Sequence, residues 1–362
     1  MSGFRDIVGH ESTVEPLKTA IASGKVSHAY LIVGDKGMGK RTLARAFSEA
    51  LQCEDLHRKL EAENSSVSAD GGEETSSKYA AGTRLPLSEI DSCGECRSCR
   101  QAETGNQPDI ITWTYQKNTS ISVDDIRRLV SDVYIKPYAS GYKIYILPDA
   151  QKMTREAQNA LLKTLEEPPE YAVLILLSTS RDSMLETVLS RCVVLPLKPV
   201  ESGKVKKYLM ERYGIADDSA DIFTAFAQGN IGRAVSLGTS ETFMPLFEKA
   251  MQILVHVKEW DVSDIIVLLR DIDRGKDAIG DTLDLFTLWY RDVLLFKATR
   301  DPDILIFRKQ EQIVKIREAA QRSSYEGIQN ILNAIRNARV RLSANVSFDL
   351  TMELLLLTMK EN

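Results

Sequence analysis

The 362-residue sequence contains no long apolar run of the kind that signal peptides and membrane-spanning helices need. Residues 1–12 have no apolar core, so we expect no signal peptide. The longest apolar run near the C-terminus, residues 354–357, is far shorter than the roughly 20 residues that span a bilayer. We therefore expect a cytoplasmic protein with no membrane partner.

An excess of basic residues is also missing. The chain has 46 Lys and Arg residues against 51 Asp and Glu residues, which gives a formal net charge of -5. This balance argues against a protein that coats nucleic acid by itself. The basic stretch at residues 336–341 is therefore interpreted as a solvated helix face rather than a nucleic-acid patch.

Cysteine is scarce, but four of the five cysteines have the spacing of metal ligands. Cys93, Cys96 and Cys99 follow a C-x2-C-x2-C pattern, which brings three sulfurs together in one tight turn. Cys53 is the obvious fourth ligand. Four thiolates suit a tetrahedral, structural Zn²⁺ site, whereas a reducing compartment disfavours disulfides. An iron–sulfur cluster is the alternative, because three close cysteines and a remote one can also hold iron.

The most informative stretch is residues 29–42, where an apolar strand ends in a glycine-rich turn that opens a helix. Gly34, Gly39 and Lys40 match the phosphate-binding pattern G-x4-G-K, and Gly37 adds a further glycine. Such a turn directs backbone N–H groups toward phosphates, and the helix N-terminus adds partial positive charge. Lys40 would reach the β- and γ-phosphates. The alternative interpretation is a glycine-rich turn without a ligand.

Both positions that usually hold Mg²⁺ in such a site are altered. Arg41 follows the loop lysine, where a metal-binding loop has Ser or Thr, and Thr42 lies about 100° further around the helix. The strand predicted at residues 143–147 ends in Pro148 and Asp149, where nucleotide hydrolases have acidic residues that position Mg²⁺ and water. We therefore expect a loop that can hold phosphate but is poorly built to hold a metal.

Strands alternate with helices in the first half of the chain, which predicts a doubly wound parallel α/β sheet. The apolar run at residues 171–177 is typical of a central strand that is buried on both faces. We also predict a second strand at residues 110–114, a short helix at 190–192 and an edge strand at 193–197. Residues 54–92, rich in Glu, Ser and Gly, are interpreted as a partly helical, then flexible insertion.

From about residue 199 onward the pattern indicates helices only. Short segments up to residue 241 suggest a small helical lid, and long amphipathic helices are predicted from residue 242 to the end. One such helix should have apolar residues on one face at Ile265, Leu268, Leu269 and Ile272, and the last helix should lie around residues 345–357.

Several motifs are specific enough to suggest a family. The sequence SHAYL at residues 27–31 precedes the phosphate loop, and NALLKTLEEPP at residues 159–169 and SRC at residues 190–192 follow it. The cysteines interrupt the domain after the loop helix, and Gly232-Arg233 looks like a sensor-2 arginine region. From residue 8 to about residue 234 the chain resembles the bacterial clamp-loader subunits of DNA polymerase III, an AAA+ family.

The resemblance implies an architecture and partners. We expect an AAA+ P-loop NTPase-like parallel sheet domain with a zinc module at residues 1–198, a helical lid at 199–241 and an all-α collar at 242–362. The family implies a five-membered ring that includes gamma/tau and delta subunits and uses ATP to open the sliding clamp and place it on primed DNA. The resemblance also implies that Arg191 acts as an arginine finger on a neighbouring ATP site. Asp149 and Arg233 would line this chain's own degenerate site.

Two functions follow from this resemblance. The first is a non-hydrolysing subunit that acts as a rigid stator and donates Arg191 to a neighbour. The second is an ATP-hydrolysing motor subunit. The altered residues Arg41 and Pro148 favour the first, while the retained Lys40 leaves open whether ATP binds without being hydrolysed. A third hypothesis, an unrelated AAA+ protein of repair or recombination, is disfavoured by residues 159–169 and by the cysteines.

Overall fold

The computed structural model describes residues 3–67, 85–115, 119–261, 264, 275–344 and 346–362. Within these ranges, five parallel strands form one sheet in the order β2-β3-β4-β1-β5. The expected parallel α/β sheet, with an edge strand after residue 192, is confirmed. The strands are β1 (Ala29–Val33), β2 (Ile110–Thr112), β3 (Lys143–Leu147), β4 (Ala172–Ser178) and β5 (Val193–Pro196).

The inner strands are apolar because helices cover the sheet on both sides. Every residue of β3 and β4 is buried. Side chains from alternate strand positions enter two separate cores, such as Ile175 in one and Leu174 in the other. The helices of this region are α1 (Glu11–Ala22), α2 (Lys40–Leu51), α3 (Glu54–Val67), α4 (Arg97–Glu103), α5 (Val123–Val133), α6 (Arg155–Glu166) and α7 (Glu186–Leu189).

The predicted short helix at residues 190–192 is wrong. The helix is α7, one turn earlier, and Ser190 is the residue that caps its end. Val188 and Leu189 are buried and supply the apolar face that such a helix needs. Residues 190–192 form the turn that leads into β5.

Both ends of the expected insertion at residues 54–92 pack into the core. Leu56 and Leu60 of α3 are buried, and Ile90, after a 3₁₀ turn at Leu87–Glu89, is fully buried. The Asp91 carboxylate accepts the backbone N–H of Phe4 at 2.7 Å, so this segment also fixes the N-terminal residues. Residues 68–84 lie outside the described part of the chain.

The chain divides into two compact units. The N-terminal unit comprises Met1–Val205 together with Asn230–Arg233, and the C-terminal unit comprises Lys206–Gly229 together with Ala234–Asn362. The later helices are α8 (Ser202–Tyr213), α9 (Asp217–Ala227), α10 (Ile231–Thr239), α11 (Phe243–His256), α12 (Lys276–Thr299), α13 (Gln310–Arg322), α14 (Tyr325–Ser343) and α15 (Phe348–Glu361).

Long helix α12 forms the centre of the C-terminal unit. It packs against α11, α13 and α14, and it buries Phe286 and Trp289. The Asp292 carboxylate accepts the backbone N–H groups of Ile306 and Phe307 at 2.6 and 3.0 Å, which fixes the loop before α13. The predicted helix around Ile265 to Ile272 lies outside the described residues. No helix in the described ranges is both long enough and apolar enough to cross a bilayer.

Candidate phosphate, metal and arginine sites

The phosphate loop, residues 34–39, joins β1 to α2 as the sequence predicts. Gly37 and Gly39 have φ angles of 93° and 90°, in the left-handed region that glycine tolerates best. The Lys40 ammonium donates hydrogen bonds to the carbonyl oxygens of Gly34 and, at 2.8 Å, Asp35. Burial lowers the pKa of Lys40, and the nearby carboxylates of Asp35 and Asp149 oppose that shift. The lysine that was expected to bind phosphate therefore donates its hydrogen bonds to carbonyl groups of the loop.

A second hydrogen-bond donor of the loop, the Asp35 N–H, also has a partner within the loop. The backbone N–H of Asp35 points at the Met38 sulfur at 3.2 Å, and Met38 is almost fully buried. The carbonyl of Met38 is 3.1 Å from Nε2 of His10. The Asp35 N–H thus has an acceptor within the loop.

The loop is in direct contact with the segment at residues 230–233, which belongs to the same compact unit. Asn230 Nδ2 donates to Lys36 O at 2.8 Å, and Gly232 N donates to Gly37 O at 2.9 Å. Asn230 Oδ1 accepts the backbone N–H of Arg233 at 3.0 Å, which caps the start of α10. A Cβ atom on Gly232 would lie only 2.5 Å from Gly37 O, so the approach requires glycine.

The end of β3 has its own set of partners. Asp149 has a φ of 52°, and its carboxylate accepts hydrogen bonds from Tyr115 Oη at 2.9 Å and Lys152 Nζ at 3.2 Å. Burial alone would raise the pKa of Asp149, but these two donors outweigh it and hold the pKa below its ordinary value. Arg41 and Thr42 are exposed on the first turn of α2.

The four predicted metal ligands converge. The sulfurs of Cys53, Cys93, Cys96 and Cys99 all lie within 4.8 Å of one another, and the Cys93 and Cys99 sulfurs are 3.9 Å apart. Zn–S bonds of about 2.3 Å in a tetrahedral site would place sulfurs about 3.8 Å apart. The cysteine module, as we call these four residues, therefore fits one tetrahedral ion.

Backbone N–H groups point at two sulfurs of this module. Cys53 Sγ accepts N–H groups from Cys93 at 3.3 Å and Leu56 at 3.5 Å, and Cys93 Sγ accepts those of Glu95 at 3.4 Å and Cys96 at 3.3 Å. The Cys99 thiol and the backbone N–H groups of Cys93 and Leu56 lower the pKa of Cys53 to about 5 against the opposing effect of burial, whereas burial raises the pKa of Cys93 to about 11. Thiolates are the form that binds metal. Because four sulfurs close the site, it has the donor set of a structural ion.

Arg191 lies in the turn between α7 and β5. Its Nη2 is 2.8 Å from Glu166 Oε1, and its Nη1 donates to Thr187 O at 2.9 Å and Ser190 Oγ at 3.1 Å. The Arg191 side chain remains 35% exposed, so part of it is open to solvent.

The loop, the strand end, the cysteines and the arginine were selected from sequence, but their hydrogen-bond and ion-pair partners were not. Met38, Asn230 and Glu166 form contacts that no local pattern reveals. The one available signal for Asn230 is its position before a Gly-Arg pair at the start of a helix, where Asn is a preferred cap.

The family model described as DNA polymerase III, delta subunit, matches residues 9–78 and 72–201, which is more than half of the chain. DNA polymerase III subunit delta' of Bacillus subtilis is 27% identical over 351 residues, covering 95% of this chain and 94% of the relative. DNA polymerase III subunit tau/gamma of Haemophilus influenzae is 28% identical over 296 residues, covering 77% of this chain.

Coverage differs between these relatives. The chain spans 38% of the Haemophilus influenzae tau/gamma protein and 50% of Bacillus subtilis tau. Among solved structures, a gamma subunit-related protein of Thermotoga maritima aligns with 96% of this chain and 99% of its own, at 18% identity and a TM-score of 0.47. The family match, together with the motifs and the parallel sheet, confirms the expected clamp-loader relationship, and the chain belongs to the DNA polymerase III, delta subunit, family.

Proposed function

We propose that the chain is a delta prime-type stator of the DNA polymerase III clamp loader, which helps to place the sliding clamp on primed DNA without hydrolysing ATP itself. The observation that carries this proposal is the phosphate loop, whose lysine and one of whose N–H groups are bound within the loop itself. The alignment with delta' over nearly the full length of both chains supports the same assignment.

The chemistry of the loop explains why turnover is not expected. Mg²⁺ needs oxygen ligands, and Arg41, which replaces the usual hydroxyl, has donors only. The Asp149 carboxylate accepts hydrogen bonds from Tyr115 and Lys152. A nucleotide would also have to displace the loop carbonyls from Lys40, and hydrogen bonds to charged groups contribute about 1.5–3 kcal/mol each. Binding of ATP without hydrolysis stays compatible with the stator role.

The remaining expected roles belong to this proposal. Residues 1–198 would form the AAA+ domain, 199–241 the lid and 242–362 the collar that joins the ring. The partners would be gamma/tau and delta subunits, and the clamp and primed DNA would be reached through the complex, in the cytoplasm. Arg191 would reach the ATP of a neighbouring motor subunit, where a guanidinium stabilises charge on the transferring phosphoryl group.

We assign zinc to the cysteine module because its four sulfurs have the chemistry and approximate spacing of a tetrahedral site. A bound ion would supply structural cross-linking alone. Cys53 would then tie the end of α2 to the turn at Cys93, across the residues of the insertion.

The alternative function is an ATP-hydrolysing motor subunit. The tau and gamma relatives and the retained Lys40 favour it. A clamp-loading assay with a ring reconstituted from this chain and its gamma/tau and delta partners separates the two. In the stator role, Lys40→Ala leaves ring ATPase and clamp loading unchanged, whereas omission of the chain abolishes loading. A marked loss of ring ATPase in Lys40→Ala, with assembly intact, would support the motor instead.

A further inference from the structure

The Arg191 guanidinium is held by groups of its own chain at Nη1 and Nη2. Nη1 donates two hydrogen bonds, to Thr187 O and Ser190 Oγ. Nη2 lies 2.8 Å from Glu166 Oε1, and within the described part of the chain Nε has no hydrogen-bond acceptor. Neighbouring N–H groups on one edge of a guanidinium can bind two phosphate oxygens at once.

We propose that Glu166 is a positioning residue for Arg191. Its carboxylate contacts Nη2 and fixes the guanidinium, so that Nε and the second N–H of Nη2 remain for a phosphate of a neighbouring subunit. This inference rests on the proposed arginine-finger role. Glu166 itself would touch neither substrate nor the reacting atoms.

Three features of the structure support a positioning role. Glu166 is the last residue of α6, where the partial negative charge of the helix end also favours a nearby cation. The arginine is anchored on its other side by α7 and Ser190, so the Glu166 ion pair fixes the remaining freedom of the head group. The two side chains are 35% and 49% exposed, so the pair orients the arginine while leaving it accessible.

Exposure also limits the size of the effect. Exposed ion pairs contribute little to folding, and the bias that they place on side-chain orientation is at most about fivefold. We therefore expect Glu166→Gln to reduce the Arg191-dependent part of the ring ATPase by roughly two- to fivefold. The loss should appear in kcat rather than in KM for ATP, because a finger acts on the transition state.

The test uses the chain assembled with its gamma/tau and delta partners, primed DNA and the sliding clamp. Glu166→Gln removes the charge with little change in shape, and Glu166→Asp keeps the charge and should retain more activity. Glu167→Gln is the matched control. It removes the same charge from the next residue, and in the described ranges Glu167 has no ion-pair partner within 4.0 Å. Melting temperature and ring assembly are measured for each variant, and neither should change.

Arg191→Ala, alone and combined with Glu166→Gln, shows whether Glu166 acts through Arg191 or independently of it. If Glu166 acts through Arg191, the double variant has the ATPase and clamp-loading rates of Arg191→Ala alone. Equal rates for Glu166→Gln and Glu167→Gln, or a further loss in the Arg191→Ala background, would overturn the positioning role while leaving the finger intact. No effect of Arg191→Ala would instead overturn the finger role itself.

Discussion

Two regions of the N-terminal unit were expected to hold ligands, and they are built in opposite ways. In the cysteine module, backbone N–H groups point at sulfurs that converge on one position. In the phosphate loop, the Lys40 ammonium and the Asp35 N–H are bound by the loop itself. The two regions show that a sequence motif alone does not determine which partners its polar groups have in the fold.

The largest expected loss of stability comes from removing one sulfur of the cysteine module. Apparent zinc-binding free energies reach about 10–16 kcal/mol in zinc-finger peptides, so Cys96→Ser should release the metal and lower the Tm by many degrees. Cys192→Ser is the matched control, because Cys192 lies outside the module and burial raises its pKa to about 12. Metal analysis and thermal unfolding check both variants. Full zinc content in Cys53→Ser would contradict the four-ligand assignment.

The next largest loss of stability is expected at Ile90, which packs beside the cysteine module. Ile90 is fully buried in the same core cluster as Cys53 and Cys99. Ile90→Ala should lower the free energy of unfolding by about 2–5 kcal/mol, because it removes packed methyl groups and leaves a cavity. Glu89→Ala, at the exposed neighbour, should change it by less than about 0.5 kcal/mol. Urea unfolding measures both, and equal values would refute the packing role of Ile90.

A smaller effect is expected where the phosphate loop meets residues 230–233. Gly232→Ala places a methyl group 2.5 Å from Gly37 O and should lower the free energy of unfolding by about 1–3 kcal/mol. Gly203→Ala is the control, because a Cβ there meets nothing within 4 Å. Equal urea midpoints for the two glycine variants would show that the close contact between Gly232 and Gly37 does not stabilise the fold.

The smallest expected effect is the pH dependence of the stability that Asp149 contributes. The pKa of Asp149 is lowered from its ordinary 3.8, so its contribution to stability is present above that pH and is lost as pH falls through the lower, folded value. Asp149→Asn should therefore be less stable than the parent at neutral pH, and the difference should shrink in acid. Urea unfolding between neutral pH and pH 3 checks this. A difference that grows on acidification would show that Tyr115 and Lys152 do not stabilise the carboxylate.

Much of the fold could be predicted because buried parallel strands carry a strong local signal. The apolar runs that became β3 and β4 were identified from sequence, and so was the turn that became the phosphate loop. The helix predicted at residues 190–192 was wrong because that assignment overlooked the apolar residues Val188 and Leu189, which require burial one turn earlier.

The contacts that decide the chemistry could not be predicted in the same way. Lys36 meets Asn230, and Glu166 meets Arg191, through chain folding rather than through any periodic pattern. Polar surface pairs of this kind leave no trace in hydrophobic periodicity. The cysteines are the exception, because three of the four ligands are neighbours in sequence and only Cys53 had to be brought back by the fold.

The most direct test of the central claim is the ATPase activity of the purified chain in the presence of Mg²⁺, measured beside its Lys40→Ala variant. The stator account predicts that both proteins hydrolyse ATP at the same background rate, because Arg41 replaces the metal-binding hydroxyl and Lys40 is bound within its own loop. Steady turnover by the parent chain that disappears in Lys40→Ala would contradict the account and identify the chain as a motor.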